Sequence, residues 1–325
     1  MTHPLPGTIA MLCADHLDAA LIRSLTAEFS RRGTVHHAEA AGFTTYAGEV
    51  RAVRWALQMA DSDDDYGTQL IDSLLEDAAD RLDSSPVTST VLPAQLRPRS
   101  TSEPMMLVMD VDSTLIDQEV IDLLAARAGR GTEVAEITER AMAGELDFTA
   151  SLHARVRALS GLREQVLEDT RRDLSPTAGA AQLIAAFRSA GHPVCAVSGG
   201  FIQILQPLAE QLGLTAAAAN ELELAGGKLT GQVTGEVVDR SRKRRLMLQW
   251  AEEFGVDAHN VVAVGDGAND LDMVTSAGVG AAFCAKPALA EQADLVIRHR
   301  NLALIAFALG LPQASNAPQA PAAIR

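Results

Sequence analysis

Four apolar residues, Met106 to Met109, stop abruptly at Asp110-Val111-Asp112-Ser113-Thr114. A short apolar run bounded by polar turn formers suits a strand buried on both faces, as in a parallel sheet. The pattern recurs twice. Pro193 to Val197 runs into Ser198-Gly199-Gly200, and Val261 to Val264 runs into Gly265-Asp266-Gly267-Ala268-Asn269-Asp270. A helical pattern follows each turn. A chain that repeats strand, polar turn and helix is confined to α/β architectures, which gather ligands outside the C-terminal ends of their strands. Taken singly, each turn also reads as a plain strand-to-helix connection, because Asp, Ser and Gly are ordinary turn and cap residues. An EF-hand reading of Asp110, Asp112 and Thr114 fails: the sixth residue is Leu115, not Gly, and the twelfth is Ile121, not Glu.

At 325 residues the chain has room for two domains and a cap. Its net charge of −15 argues against nucleic-acid binding, which needs a basic face, and against docking on anionic membrane. An anionic substrate would therefore need positive charge concentrated locally. The dense basic run is Arg240-Ser-Arg-Lys-Arg-Arg245, opening a helix through Trp250 and Phe254; most of it reads as a solvated face. Cys13, Cys195 and Cys284 are far apart and form no CxxC pair, which fits a reducing cytoplasm better than a disulfide framework. No signal peptide is expected, and Leu302 to Leu311 is too short to span a bilayer.

Residues 1–95 read as a small α+β unit in the order β-α-β-β-α-β, a ferredoxin-like arrangement that resembles ACT domains in element order alone. Its His36-His37 pair lacks partners at metal-ligand spacing. Residues 96–104 read as a linker and 105–310 as the main domain. About 117–178 carries helical patterns and no clear strand, as expected of a cap over the strand ends. Leu222 to Val238, with Gly226-Gly227 inside, reads as a hairpin. The proline-rich tail, 311–325, reads as disordered.

The strand-end turns offer clustered carboxylates, a Ser-Gly-Gly turn with free N–H groups and a nearby lysine. Carboxylates packed together repel unless a cation joins them, and such oxygens suit Mg²⁺. This is a plausible set of parts for phosphoryl transfer.

DVDSTL, VSGGF, the lysine and VGDGAND resemble the four motifs of the haloacid dehalogenase superfamily over about residues 105–300. The helical insertion and the stretches IDQEVIDLLA, AMAGELDFTASLHARV and AFCAKP are similar to its phosphoserine phosphatase branch. The resemblance implies a Rossmann-like parallel sheet with a helical cap and a phosphoric monoester hydrolase that releases serine, the last step of serine biosynthesis. It implies Asp110 as nucleophile and Asp112 as proton donor and acceptor. Asp110, Asp266 and the backbone carbonyl of Asp112 would hold Mg²⁺. Ser198, Gly199, Lys243 and Asn269 would bind the phosphoryl group or substrate, with Asp270 orienting the lysine. Lys243 is chosen by its spacing of 23 residues before Asp266, with Arg242 and Arg244 as alternative registers. Glu119 and Arg155 would take the ammonium and carboxylate of the substrate, and Met142 and Phe148 would shape an apolar wall. The partners expected are O-phosphoserine, an amino-acid effector at the N-terminal unit and a second copy in a homodimer. The rival readings are an enzyme of the same superfamily acting on another small phosphate ester, and an amino-acid sensor with a silent phosphatase half.

Overall fold

The structure is a computed structural model that describes residues 8–59, 64–82, 86–92, 103–142 and 145–311, without the side chains of 59, 64–67 and 142. Most of the expected linker and nearly all of the expected tail lie outside the described residues.

The first elements are β1 (Thr8–Ala14), α1 (Ala19–Arg32), β2 (Gly33–Thr45), β3 (Gly48–Met59), α2 (Asp64–Asp80) and β4 (Thr88–Leu92). Their strands form an antiparallel sheet in the order β2-β3-β1-β4, the ferredoxin-like arrangement. Asp18 caps α1 by accepting from the Leu21 N–H at 2.7 Å. Leu25 and Phe29 of that helix pack with Leu12, Trp55, Ile71 and Leu75 between sheet and helices.

The second sheet is built from β5 (Met106–Met109), then α3 (Val120–Arg127), α4 (Gly131–Met142), α5 (Phe148–Ala158), α6 (Gln165–Arg171) and α7 (Ala180–Ser189). There follow β6 (Val194–Phe201), α8 (Ile202–Leu212), β7 (Ala216–Ala225), β8 (Lys228–Thr234) and α9 (Arg240–Glu253). The chain ends with β9 (Val261–Gly265), α10 (Leu271–Val274), β10 (Val279–Phe283), α11 (Pro287–Ala290), β11 (Leu295–Ile297) and α12 (Ala303–Leu309). The strand order is β11-β10-β9-β5-β6-β7-β8, parallel except for the β7–β8 hairpin. Gly226 and Gly227 both take positive φ, 58° and 73°, at the hairpin turn, a conformation open to glycine at little cost.

β5 lies between β9 and β6, where the strand order reverses, so the three polar turns after these strands open side by side. Period-two alternation divides β5 between two cores. Leu107 and Met109 pack with Phe187 and Leu304 on one face, while Met106 and Val108 pack with Met247 and Trp250 on the other. Each large side chain buried this way contributes on the order of 1.5–3 kcal/mol. The helices α3 to α6 stand between β5 and β6 in sequence, as the cap reading expects.

Two features go beyond the sequence reading. Ala216–Ala225 joins the sheet as a parallel neighbour of β6 although its alanine run has low strand propensity, because pairing with a buried strand overrides local preference. Ala303–Leu309 is a helix buried along its whole length. It supports the second face of the small sheet: the Phe43 and Phe307 rings meet edge-on at 5.5 Å, and Ile9, Met11, Cys13 and Ala52 share its core. In β3, therefore, Arg54 and Ala56 are buried as well as Val53, Trp55 and Leu57.

Candidate active site

Asp110 is 2% exposed at the end of β5. Its Oδ1 accepts from the Val111 N–H and from Lys243 Nζ, each at 2.7 Å, and Asn269 Nδ2 stands 3.5 Å from Oδ2. Lys243 also donates to Asp270 Oδ1 at 2.7 Å. Asp270, fully buried, accepts from the backbone N–H groups of Asp266 and Gly267 at 3.2 Å. Burial and the nearby Asp270 push the Asp110 carboxyl well above its usual range, against the pull of Lys243. Burial alone would discharge Lys243, but Asp110 and Asp270 outweigh it and raise its pKa.

The lysine register is decided by helix geometry. Lys243, Leu246, Met247 and Trp250 share the buried face of α9, an i, i+3, i+4, i+7 pattern already legible in the sequence. Arg242 turns away to Glu236 at 2.6 Å and Arg244 to Ser276 at 2.8 Å.

Asp112 is held differently. Its Oδ1 accepts from the Val120 N–H at 2.8 Å and its Oδ2 from Ser198 Oγ at 2.7 Å, while burial raises its pKa. The Gly200 N–H in turn donates to Ser198 Oγ at 2.7 Å. A Cβ on Gly200 would lie 2.8 Å from Asp112 Oδ2, and one on Gly199 would lie 3.0 Å from the Phe148 ring. The turn therefore needs glycine for the approach of carboxylate and ring rather than for an unusual φ. Buried Asn220 braces it, donating to the Gly199 carbonyl at 2.7 Å and accepting from the Val238 N–H at 2.8 Å. Sequence reasoning missed Asn220; a lone amide after four alanines, at the edge of apolar strands, was the available signal.

The carboxylate oxygens of Asp110, Asp266 and Asp270 lie within 4.8 Å of one another, the group of metal-ligating type found among the described residues. Burial and Asp270 push the Asp266 carboxyl up to about 6. Three acids against one lysine leave excess negative charge, and an all-oxygen donor set fits a hard divalent cation. Asp112's carboxylate stands outside this group, turned to the Val120 N–H and Ser198. His36 hydrogen-bonds Gln58 at 3.1 Å instead of joining a cluster.

On the cap side, Glu119 is exposed and linked to the turn after β5: Ser113 Oγ donates to its Oε1 at 2.7 Å. Desolvation on its protein side and the charge of Asp112 push its carboxyl up to about 7. Arg155, on α5, lies in the field of Asp122, Glu119 and Asp112. Phe148, at the start of the same helix, covers Gly199. The Met142 side chain lies outside the described residues.

A parallel sheet with its acids at the ends of the central strands, under a helical insertion, defines an α/β protein whose chemistry lies at the C-terminal edge of the sheet. Residues 105–278 match the model of the haloacid dehalogenase-like hydrolases, and the chain belongs to that family. It is 51% identical over 206 residues to a phosphoserine phosphatase of Streptomyces coelicolor, a match spanning 63% of this chain and half of that relative's length. The fold superposes on a probable phosphoserine phosphatase from Vibrio cholerae with a TM-score of 0.73 and 34% identity, covering 93% of this chain and 86% of the other. A phospho-aspartyl intermediate analogue of a phosphoserine phosphatase aligns at 42% identity and a TM-score of 0.60, over 63% of this chain and 98% of its own.

Proposed function

We propose that the chain hydrolyses O-phosphoserine to serine and phosphate through an aspartyl phosphate on Asp110. The observation that carries this reading is that Arg155 stands within electrostatic reach of both Glu119 and Asp112. A carboxylate and a guanidinium on the cap side suit the ammonium and carboxylate of an amino acid whose phosphate reaches Asp110. The similarity to phosphoserine phosphatases supports the same substrate.

Lys243 and the Val111 N–H orient the Asp110 carboxylate for attack on phosphorus. As the new O–P bond forms, the bond from phosphorus to the serine oxygen breaks. Asp112, kept protonated more readily by burial, gives that oxygen its proton. Asp112 then takes a proton from water, which attacks the aspartyl phosphate, releasing phosphate and restoring the Asp110 carboxylate. Ser198 and the Gly199 N–H receive the transferring oxygens, with Asn269 beside them, while the Gly200 N–H holds the Ser198 hydroxyl in place. Asp110 and Asp266, with the Asp112 carbonyl, would hold Mg²⁺, which supplies charge neutralisation of the phosphoryl group. Asp270 serves this site by fixing Lys243 and the backbone of the Asp266 turn.

The same reading places the enzyme at the end of serine biosynthesis in the cytoplasm, with an amino-acid effector at the N-terminal unit and a homodimer as its assembly. The experiment that tests it is Asp110→Asn assayed with phosphoserine and Mg²⁺. Loss of turnover by about 10⁴-fold or more is expected for removal of a nucleophile. Turnover near the parent rate would overturn the assignment.

A further inference from the structure

Ser113 sits between Asp112 and the residues leading to Glu119 with a φ of 56°, a left-handed conformation that is costly for a residue with a side chain. Three contacts hold it. Its N–H donates to the Gln118 carbonyl at 3.2 Å, its Oγ donates to Glu119, and its carbonyl accepts from Arg300 Nη1 at 3.1 Å. Arg300 is itself fixed. Its Nε donates to Asp117 Oδ1 at 2.9 Å, and its guanidinium lies over the Phe283 ring at 5.7 Å.

The other oxygen of Asp117 accepts from the Tyr46 hydroxyl, at the turn between β2 and β3. Partial desolvation of its hydroxyl and the neighbouring Asp117 push that phenol up to about 12. Asn301, next to Arg300, donates to the Thr44 carbonyl at 2.8 Å and accepts from the Ala303 N–H, which ties the same hairpin to the start of α12. Tyr46 is 68% exposed, so packing does little to explain a large side chain at this place; its hydrogen bond does. A continuous polar path thus runs from the tip of the N-terminal sheet, through Asp117 and Arg300, to the strained residue that holds Glu119.

We propose that Arg300 is a positioning residue for Glu119, and that Tyr46 and Asp117 let the N-terminal hairpin set the placement of this recognition loop. The inference rests on the reading of Glu119 as the ligand of the substrate ammonium. It makes the grip on the amino-acid head, and not the phosphoryl chemistry, the property that the N-terminal unit controls.

Steady-state kinetics of the full chain with phosphoserine, alongside inhibition by inorganic phosphate, test it. Arg300→Met should raise the phosphoserine KM by about tenfold, as expected for a lost charge-assisted hydrogen bond, with phosphate inhibition unchanged. Arg300→Lys should recover part of that loss, and Tyr46→Phe should raise KM by about two- to threefold. In a Glu119→Gln background, Arg300→Met should add nothing further, as coupled positions do. Parallel shifts in phosphoserine KM and phosphate inhibition would overturn the proposal, as would full additivity. Should Arg300→Met not fold, Asp117→Asn carries the same prediction. If Glu119→Gln raises KM and the Arg300 and Asp117 variants do not, this inference falls alone; if Glu119→Gln leaves KM unchanged, the substrate reading falls with it.

Discussion

At the strand ends, buried Asp110, Asp270 and Lys243 cluster with half-buried Asp266, and acids outnumber the base. Between the small sheet and α12, the buried contacts are mainly apolar. There Arg54 donates to the Phe307 carbonyl at 2.6 Å, pairs with Glu39 at 2.6 Å and stacks over the Phe307 ring. Both regions bury a long cation, yet their electrostatics differ. Arg54 meets a carbonyl and a partly exposed carboxylate, and the charges balance. Lys243 meets two buried carboxylates with a third nearby, and they do not. Balanced burial holds a shape; unbalanced burial leaves affinity for a cation or for the proton of an acid, which is what a phosphoryl-transfer site requires.

Substitutions can break this contrast at either end. Lys243→Met should have the largest effect on stability, about 3–5 kcal/mol, because it leaves two carboxylates buried without their partner. Urea unfolding measures it, and a loss under about 1 kcal/mol would mean that the acids shed their charge by taking up protons. Turnover should fall steeply in the same variant, since Asp110 then loses the cation that orients it and keeps only the Val111 N–H on that oxygen. Arg54→Met should cost less, about 1–3 kcal/mol, as expected for one carbonyl left unsatisfied under an apolar face. Its Michaelis parameters should stay near those of the parent. A large rise in phosphoserine KM would instead extend the coupling through Tyr46 to the whole sheet.

The smallest effect is a titration. The Glu119 carboxyl is at about 7 in the folded chain against an ordinary 4.5, so the folded state holds its proton more tightly than the unfolded state. The sign follows: the stability this group contributes is fully present below about pH 4.5 and is lost as pH rises from there through about 7. The difference in urea midpoint between the parent and Glu119→Gln should therefore open as pH rises through that window. A difference flat across it would place the carboxyl back in the ordinary range.

Much of the site was written locally. Asp110 and Asp112, Ser198 with its two glycines, and Asp266 to Asp270 each lie within a few residues of an apolar run, so strand and ligand share one stretch of chain. Lys243 was reached by its spacing before Asp266, and its place on the buried face of α9 separates it from Arg242 and Arg244. Asn220 and Arg300 carried no such mark. Each acts on a loop distant in sequence, Asn220 on Gly199 and Arg300 on Ser113, and a lone amide or guanidinium does not announce its target. The small sheet was legible as alternation, but Arg54 and Ala56 on its other face were not legible as buried, because their cover comes from residues some 250 positions later.

By itself, the sequence determined the strand, turn and helix order, and with it the parallel sheet and the chemistry at its ends. Hydrophobic periodicity and turn chemistry act over a handful of residues and survive outside their tertiary context. Only the tertiary structure decided which face of the small sheet α12 would cover, that Ala216–Ala225 would become a strand, and that Tyr46 would reach Asp117. Those outcomes depend on contacts between distant segments, where burial and pairing outweigh local preference.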